Sequence, residues 1–235
     1  MSKLISVSGS PGSGKSLFAA LLASIIAKEE KQVILISADR ITPMLPVMVN
    51  SQPLDASKSI ANILKARMIT PALVASQVTL LESCPYIGLL AYSAQGADYS
   101  TGALPSLCRI ACELVAHVIV DCSSQDREVY QPIVAQSDVS VNVLTADRKG
   151  ISYYQAHEHI SAAQEHVQQQ FTFAGMARPF QALDDVGAVV GGWDGYLPYG
   201  KNIEQCCGEF DIFSALKYCN ELYLKSLTKV HDTIK

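Results

Sequence analysis

Short apolar runs alternate with longer stretches of helical periodicity along most of the chain. The runs are rich in β-branched residues, which is typical of strands buried on both faces of a parallel sheet. They are Leu4–Val7, Val33–Ile36, Ile87–Tyr92, Val118–Val120 and Val139–Leu144. Because a helix-length stretch precedes or follows each run, the pattern predicts an α/β fold with a mostly parallel central sheet flanked by helices.

The first forty residues carry the clearest local pattern. A glycine-rich segment follows the first apolar run, and Ser16–Glu30 then has the apolar spacing of a helix. With the strand predicted at Val33–Ile36, these elements form a strand-helix-strand unit. The proline-containing stretch Met44–Asp55 predicts a loop.

Composition limits the classes of protein that fit. The chain has 235 residues, a length that one α/β domain commonly reaches, so residues 1–235 are predicted to form a single domain. Hydrophobic residues make up 49% and charged residues 17%, a composition that excludes intrinsic disorder. The formal net charge of -4 lacks the cationic excess that coating a phosphate backbone requires. There is thus no strong nucleic-acid signal.

The cysteines and the apolar segments bear on the cellular compartment. Seven cysteines match no CxxC ligand spacing, which favours reduced, mostly buried thiols in a cytoplasmic protein. The longest nearly unbroken apolar stretch, Leu17–Ala27, is well short of the roughly 20 residues that span a bilayer. The first residues also lack the order of a signal peptide, so we expect neither a secreted nor an integral membrane protein.

One segment fits the Walker A pattern GxxxxGK[ST] at every fixed position. It lies between a predicted strand and a predicted helix and reads Gly9-Ser10-Pro11-Gly12-Ser13-Gly14-Lys15-Ser16. Glycines allow successive backbone N–H groups to point at a phosphate, and the helix start adds the positive end of its dipole. Lys15 is therefore expected to contact the β and γ phosphates of ATP, and the Ser16 hydroxyl to bind Mg²⁺.

A P-loop also needs a carboxylate at the end of a neighbouring strand to hold the hydrated Mg²⁺. Asp121, directly after Val118–Val120, supplies one. Asp39 and Asp147 end two further predicted strands in the same way.

This order of motifs resembles the ParA/MinD family of P-loop ATPases. The match extends from Met1 to about Ser161 and, more weakly, through Leu197-Pro198-Tyr199. The resemblance implies a cytoplasmic, Mg²⁺-dependent ATP-binding switch that hydrolyses ATP slowly and forms a nucleotide-dependent homodimer. It also implies a protein partner, such as envelope machinery or a DNA segregation complex, that the switch positions or assembles.

The resemblance assigns roles to individual residues. Asp39 matches the acidic residue that helps position the attacking water, so Lys15 and Asp39 form the expected catalytic set. Asp121 matches the Mg²⁺-associated switch residue, beside Ser16. The nucleotide-binding set comprises the whole P-loop with Leu17, Pro198 and Tyr199. For Asp39 and Asp121 the alternative is that each carboxylate caps the following helix.

Two segments look similar to a narrower group, the shorter TadZ/CpaE-like proteins, which are associated with pilus and secretion machinery. They are Ser37–Pro46 and Thr145–Lys149. Many of those proteins also carry an N-terminal receiver-like domain, which we do not expect from residues 1–235.

Ser10 is the main departure from the ParA/MinD pattern. Most family members have a lysine at this position that reaches across a dimer to the partner's phosphates. Its replacement leaves three interpretations open: the dimer uses a different cation, hydrolysis is slow, or nucleotide acts chiefly as a conformational ligand. Arg148 and Lys149, directly after a predicted strand, are the candidate substitute cations.

Two other classes remain possible for this Walker A loop. A small-molecule or nucleotide kinase uses the same motif but requires clustered arginines in a lid, and the arginines here are sparse. A nucleotide-binding scaffold would differ from the switch only in lacking turnover.

Three further features have ordinary interpretations beside functional ones. His157 and His159, with Glu158 and Glu165, indicate a solvated helix face rather than a metal site, because helix positions i and i+2 do not face each other. Trp193 is expected in the core, with stacking on a base as the alternative. The apolar stripe of Ile212–Ile234 predicts a helix packed on the domain, with weak membrane contact as the alternative.

Overall fold

The fold was obtained as a computed structural model. It describes residues 2–40, 42–49, 55, 57–92, 101–125, 127–156, 167–178, 183–209 and 212–235.

Eight strands form one sheet, which confirms the predicted fold class. In chain order they are β1 (Lys3–Gly9), β2 (Val33–Ser37), β3 (Thr79–Leu81), β4 (Cys84–Leu90), β5 (His117–Asp121), β6 (Val139–Thr145), β7 (Gln169–Ala177) and β8 (Gly195–Pro198). Their order across the sheet is β3-β4-β2-β5-β1-β6-β7-β8, and β3 pairs antiparallel with β4 while the remaining pairs are parallel. The central β1 therefore ends between β5 and β6, the crevice in which open α/β sheets bind ligands.

Helices cover both faces of the sheet. In the described ranges they are α1 (Lys15–Ala27), α2 (Met44–Val49), α3 (Ile60–Leu64), α4 (Pro71–Gln77), α5 (Leu104–Ala111), α6 (Arg127–Ala135), α7 (Arg148–Ala156), α8 (Leu183–Val190), α9 (Lys201–Gly208) and α10 (Glu221–Thr233). Short 3-10 helices span Thr101–Ala103 and Ile212–Tyr218.

Each face of the sheet has its own apolar core. On one face α1, the second 3-10 helix and α10 pack over β1 and β7, and on the other α3 and α5 pack over β2 and β5. Helix α1 is buried on nearly all sides, and Phe18, Leu21, Leu22 and Ile26 are fully enclosed. Burial of a side chain of this size contributes about 1.5–3 kcal/mol, so α1 and the P-loop that precedes it are firmly held.

The loop predicted over Met44–Asp55 is wrong for its first part, where the structure has α2. Leu45 and Val49 lie one helical turn apart and are both buried, so packing stabilises the helix. Pro46 lies in the first turn, where its missing N–H has no intrahelical partner to lose. Residues 50–54 lie outside the described part.

The C-terminal stretch packs against the domain, as predicted. Its apolar residues Tyr223, Leu227, Val230 and Ile234 are buried, and Leu222 is exposed. The helix is interrupted at Cys219, because the Asn220 side chain accepts a hydrogen bond from the Tyr223 N–H and starts α10 anew.

Two observations concern the cysteines and the membrane. All seven cysteines are free thiols, and Cys108, Cys122, Cys206 and Cys219 are buried. Within the described ranges, every helix is too short or too polar to cross a bilayer.

Candidate functional site

The P-loop connects the end of β1 to the start of α1. Gly12 and Gly14 have φ angles of 75° and 89°, and Gly14 is the residue before the first turn of the helix. These left-handed conformations are accessible to glycine at little cost, and they turn neighbouring N–H groups towards one side of the loop. The loop thus has the backbone shape that surrounds a phosphate.

Hydrogen bonds to neighbouring elements hold the P-loop in place. The Ser10 N–H donates to the Val143 carbonyl at 3.1 Å, and the Ser10 hydroxyl accepts from the Thr145 N–H at 2.9 Å. On the other side, the Ser124 hydroxyl donates to the Gly9 carbonyl at 2.8 Å. Ser10 is fully buried, so its side chain binds β6 and does not project from the surface.

The backbone of strand β7 lies in close contact with the backbone of the P-loop. A Cβ atom on Gly175 would lie 2.1 Å from the Ser13 carbonyl oxygen, so a larger residue would displace the P-loop. The loop is therefore fixed by β6, β7 and the segment that follows β5.

A cavity of about 120 Å³ opens beside the P-loop. Its walls are the P-loop and the segments that follow β2 and β5, with the lining residues Pro11, Gly12, Lys15, Ser16, Asp39, Thr42, Met44, Asp121, Ser124 and Gln125. The structure thus brings Lys15, Ser16, Asp39 and Asp121 together, although the two aspartates are far from the P-loop in sequence. We term this space the phosphate cavity.

Asp121 has the electrostatic properties of a cation ligand. It is 2% exposed, and among the described residues its Oδ1 atom has no hydrogen-bond partner. Burial raises the pKa of Asp121 to about 6, while the Lys15 charge and a hydrogen bond from Ser16 act against this rise. A nearby hydroxyl and two carboxylates form an oxygen donor set that suits Mg²⁺. The residues present therefore fit the metal that a P-loop uses.

Asp39 stabilises a turn and also lines the phosphate cavity. Its Oδ1 atom accepts from the Thr42 N–H at 2.9 Å and its Oδ2 atom from the Thr42 hydroxyl at 3.3 Å, which orders the turn before α2. At the same time the side chain lines the phosphate cavity. The turn and the cavity therefore share this carboxylate.

A second, mostly apolar cavity of about 250 Å³ adjoins the first. Both cavities include Gly12, Lys15, Ser16 and Met44, so they form one continuous groove along the P-loop. The remaining walls come from α1, α2, β7, β8 and α9, with the lining residues Gly14, Leu17, Met48, Met176, Pro198, Gly200, Ile203, Glu204 and Cys207. We term this space the base cavity, because its size and polarity suit a nucleobase.

Met176 reaches the base cavity from a distorted strand. Its φ angle is 50°, and the pairing of β7 with β8 shifts register between Gly175 and Ala177. The bulge directs the Met176 side chain over Gly14. A strained non-glycine residue of this kind at a ligand cavity indicates function, since the backbone conformation is costly.

Several residues that the sequence suggested for the nucleotide site line neither cavity. Gly9, Ser10 and Ser13 support the loop from behind and do not line either cavity. The Tyr199 hydroxyl donates to the Glu204 carboxylate, and its ring lies under the Arg178 guanidinium at 4.7 Å. The Trp193 indole N–H donates to the Leu183 carbonyl at 2.7 Å, and Trp193 lines neither cavity.

The structure does not test the histidines and glutamates that the sequence assigns to a solvated helix face. His157, Glu158, His159 and Glu165 lie outside the described residues. Among the described residues, no group of three or more His, Cys, Asp and Glu side chains is arranged to hold a metal ion.

The sequence interpretation missed Ser124, Gln125, Met176, Glu204 and Cys207. The two after Asp121 could have been inferred, because they follow a predicted strand end at the carboxyl edge of the sheet, where α/β folds bind ligands. Met176, Glu204 and Cys207 could not be inferred from local sequence, because only the order of the sheet places β7 and α9 beside the P-loop.

A larger cavity of about 670 Å³ lies at the opposite edge of the sheet, lined by Val33, Leu80 and Tyr86 among others. It contains none of the P-loop or strand-end carboxylates. Its size alone therefore gives it no role in nucleotide binding.

No protein-family model matches this sequence, and no curated protein matches it significantly. Solved structures match it well in fold. A ParA family ATPase from Chlorobium tepidum TLS superposes with a TM-score of 0.82 at 16% identity, covering 97% of this chain and 96% of that one. The septum site-determining protein MinD of Pyrococcus horikoshii OT3, complexed with Mg-ADP, has a TM-score of 0.77 at 12% identity, with 98% and 96% covered.

A third match is MinD in the MinC:MinD cell division complex of Aquifex aeolicus. It has a TM-score of 0.75 at 12% identity, and 98% of this chain and 96% of that chain are covered. The chain therefore has the α/β fold of the ParA/MinD ATPases at low sequence identity. The narrower TadZ/CpaE-like resemblance receives no support from these structures.

Proposed function

We propose that this protein is an ATP-binding switch of the ParA/MinD type, which hydrolyses ATP slowly and dimerises according to the nucleotide bound. The observation that carries the proposal is the continuous groove in which the phosphate cavity and the base cavity share the P-loop residues Gly12, Lys15 and Ser16. A groove with an apolar end and a cationic end matches the chemistry of a nucleoside triphosphate.

In this proposal each residue of the phosphate cavity has a task. Lys15 and the P-loop N–H groups bind the β and γ phosphates. Ser16 and Asp121 hold Mg²⁺, which neutralises phosphate charge when bound. Asp39 accepts hydrogen bonds at the mouth of the cavity and orients the attacking water. The relative that was solved with Mg-ADP supports ATP and Mg²⁺ as the ligands.

In this proposal, the replacement of the family's lysine by Ser10 affects the rate of ATP hydrolysis rather than the affinity for nucleotide. Ser10 is held against β6, so this position offers no cation to a facing protomer. Transition-state charge on the γ phosphate is then stabilised less, and turnover is slow.

The partner is proposed to be a protein in a larger cytoplasmic assembly. The MinC:MinD complex shows that a relative of this fold associates with another protein. Envelope machinery or a DNA segregation complex is the cargo class that the family resemblance suggests. Because the apolar face of α10 is buried against the domain, membrane association of the free protein would depend on the exposed Leu222 and Leu224.

The competing candidate is a small-molecule or nucleotide kinase. A kinase surrounds the transferred phosphoryl group with arginines. Among the described residues that line the phosphate cavity, Lys15 is the only cation. The geometry therefore favours the switch.

Measuring molecular mass by light scattering with ATP, ADP or no nucleotide tests the proposal. We expect a dimer with ATP and Mg²⁺ and a monomer with ADP, and we expect Lys15→Ala to stay monomeric because it loses the phosphate contact. A wild type that binds ATP but keeps one mass in all three conditions contradicts the switch. Rapid phosphate transfer to an added acceptor, with little hydrolysis, would favour the kinase.

A further inference from the structure

The base cavity contains a single carboxylate among its described lining residues, that of Glu204. Most of the other walls are apolar, because methionine, leucine, proline and isoleucine side chains form them. Lys15 and Ser16 belong to the phosphate end. A ligand group that enters the apolar end and carries hydrogen-bond donors therefore meets one strong acceptor.

The Glu204 carboxylate is positioned by neighbouring side chains. It lies in the first turn of α9 and accepts a hydrogen bond from the Tyr199 hydroxyl. The Arg178 guanidinium, directly after β7, lies 4.7 Å from the centre of the Tyr199 ring, directly after β8. Three residues from the ends of β7, β8 and the start of α9 thus form one connected group.

The Tyr199 hydroxyl is the donor in this hydrogen bond, because an ionised carboxylate can only accept. The bond to Glu204 raises the pKa of Tyr199, as expected when a phenol donates to a carboxylate. A carboxylate has acceptor positions on both oxygens, so one hydrogen bond leaves it able to accept another.

The backbone N–H groups nearby are engaged within the protein and offer a ligand no donor. The Tyr199 N–H already donates to the Ala177 carbonyl at 2.8 Å, and the Glu204 N–H donates to the Gly200 carbonyl at 3.0 Å. Pro198 has no N–H. Among the described residues that line the base cavity, Glu204 has the one carboxylate able to accept a hydrogen bond from a base.

We infer that Glu204 determines base specificity by accepting a hydrogen bond from the exocyclic 6-amino group of adenine, with Tyr199 as the residue that positions its carboxylate. The inference rests on the proposed function and deepens it, because it names the group that selects ATP. Purines without an amino group at this position lose the contact. A guanine base places a carbonyl oxygen there, which the carboxylate repels.

The test is a thermodynamic cycle that removes each side of the contact in turn. ATP and purine riboside triphosphate, in which hydrogen replaces the 6-amino group, are titrated calorimetrically into wild type and Glu204→Ala. We expect wild type to prefer ATP about tenfold, a modest ratio because Glu204 is exposed to solvent. We expect Glu204→Ala to bind both nucleotides alike.

Further variants separate a direct contact from a structural effect. Tyr199→Phe keeps the ring under Arg178 but removes the donor, so it should retain part of the preference for ATP. Glu209→Ala is the matched control: Glu209 is exposed, follows α9 and accepts from the Gln205 amide, and its loss should leave the preference unchanged.

The outcomes distinguish this inference from the proposed function. If Glu204→Ala binds ATP and keeps the wild-type preference, the assignment of Glu204 is wrong while the switch stands. If wild type prefers GTP and Glu204→Ala abolishes that preference, the carboxylate reads a guanine amino group and the adenine assignment is wrong. A wild type that binds no nucleoside triphosphate overturns both proposals.

Discussion

At the scale of single residues, the Ser10 side chain attaches the P-loop to β6 and offers no charge at the surface of the loop. Its hydroxyl accepts from the Thr145 N–H and lies 3.4 Å from the Thr145 hydroxyl, which in turn donates to Asp147 at 2.8 Å. A lysine at this position would have to leave the buried space and break these contacts. Ser10 is therefore an anchor of the loop on β6, and any cation for a facing protomer must come from another residue.

Substitution of the two strand-end aspartates should separate metal binding from turnover. We expect Asp121→Asn to reduce the Mg²⁺ enhancement of ATP binding at least about tenfold, because the neutral amide no longer attracts the cation. We expect Asp39→Asn to bind ATP nearly as wild type and to lower turnover about a hundredfold, the scale of a lost general base. Calorimetry with and without Mg²⁺ and a phosphate-release assay measure the two effects.

The asparagine variants are chosen because they preserve shape. An amide oxygen at residue 39 can still accept from the Thr42 N–H, so the turn before α2 is retained. Thermal melts should show both variants folded. If Asp121→Asn keeps the full Mg²⁺ enhancement, Asp121 is not the metal-associated residue.

At the scale of elements, the part of the fold that could be predicted is the part that depends on local sequence. Strands β1, β2, β5 and β6 lie within about two residues of their predicted bounds and helix α1 within about three, because fully buried strands and helices have continuous apolar runs. The P-loop was also predictable from local sequence, because its geometry depends on eight consecutive residues.

The other elements depend on neighbours that local sequence does not reveal. Strand β7 begins with the exposed pair Gln169 and Gln170 and alternates afterwards, so it lacks the continuous run of a buried strand. Helix α2 is stabilised mainly by burial of Leu45 and Val49. The base cavity could not be predicted, because it forms only when β7, β8 and α9 are brought beside the P-loop by the order of the sheet.

The amino-terminal edge of the sheet contains a histidine that links stability to pH. His117 begins β5 and is 4% exposed, and burial lowers its pKa to about 4, with further lowering from the Lys31 charge. The unfolded chain has a histidine pKa near 6.5, so between these values it binds more protons than the folded protein. The contribution of His117 to stability should therefore be complete above about pH 6.5 and be lost as the pH falls towards 4.

Urea unfolding at about pH 4.5, 5.5 and 7 measures this dependence. His117→Gln, which cannot be protonated, should unfold with a flatter pH profile across this window. His231→Gln is the companion variant, because burial also lowers the pKa of His231 and its imidazole lies 3.2 Å from Glu29. Equal slopes for wild type and His117→Gln would show that His117 does not carry the effect.

At the scale of the whole molecule, a dimer with two facing nucleotides must compensate their charge. The phosphate cavity lies at the carboxyl edge of the sheet, so two protomers sharing nucleotides in the proposed dimer would meet there. Asp147 accepts from the Gly150 N–H at 3.0 Å and orders the turn in which Arg148 and Lys149 begin α7. Arg148 and Lys149 are both exposed. They follow Thr145, whose N–H donates a hydrogen bond to Ser10, by three and four residues.

The double variant Arg148→Ala, Lys149→Ala tests whether these cations replace the missing lysine. Like charges held close in a poorly solvated interface repel strongly, so removing two compensating charges should weaken the ATP-dependent dimer about tenfold or more. The control is Lys28→Ala, Arg109→Ala, which removes the same charge from exposed residues near the ends of α1 and α5 that precede the opposite edge of the sheet. Dimer dissociation constants from analytical ultracentrifugation, at matched salt and with saturating ATP, give the comparison. Equal weakening by both double variants would indicate a general charge effect, and unchanged dimerisation would exclude Arg148 and Lys149 as the substitute cations.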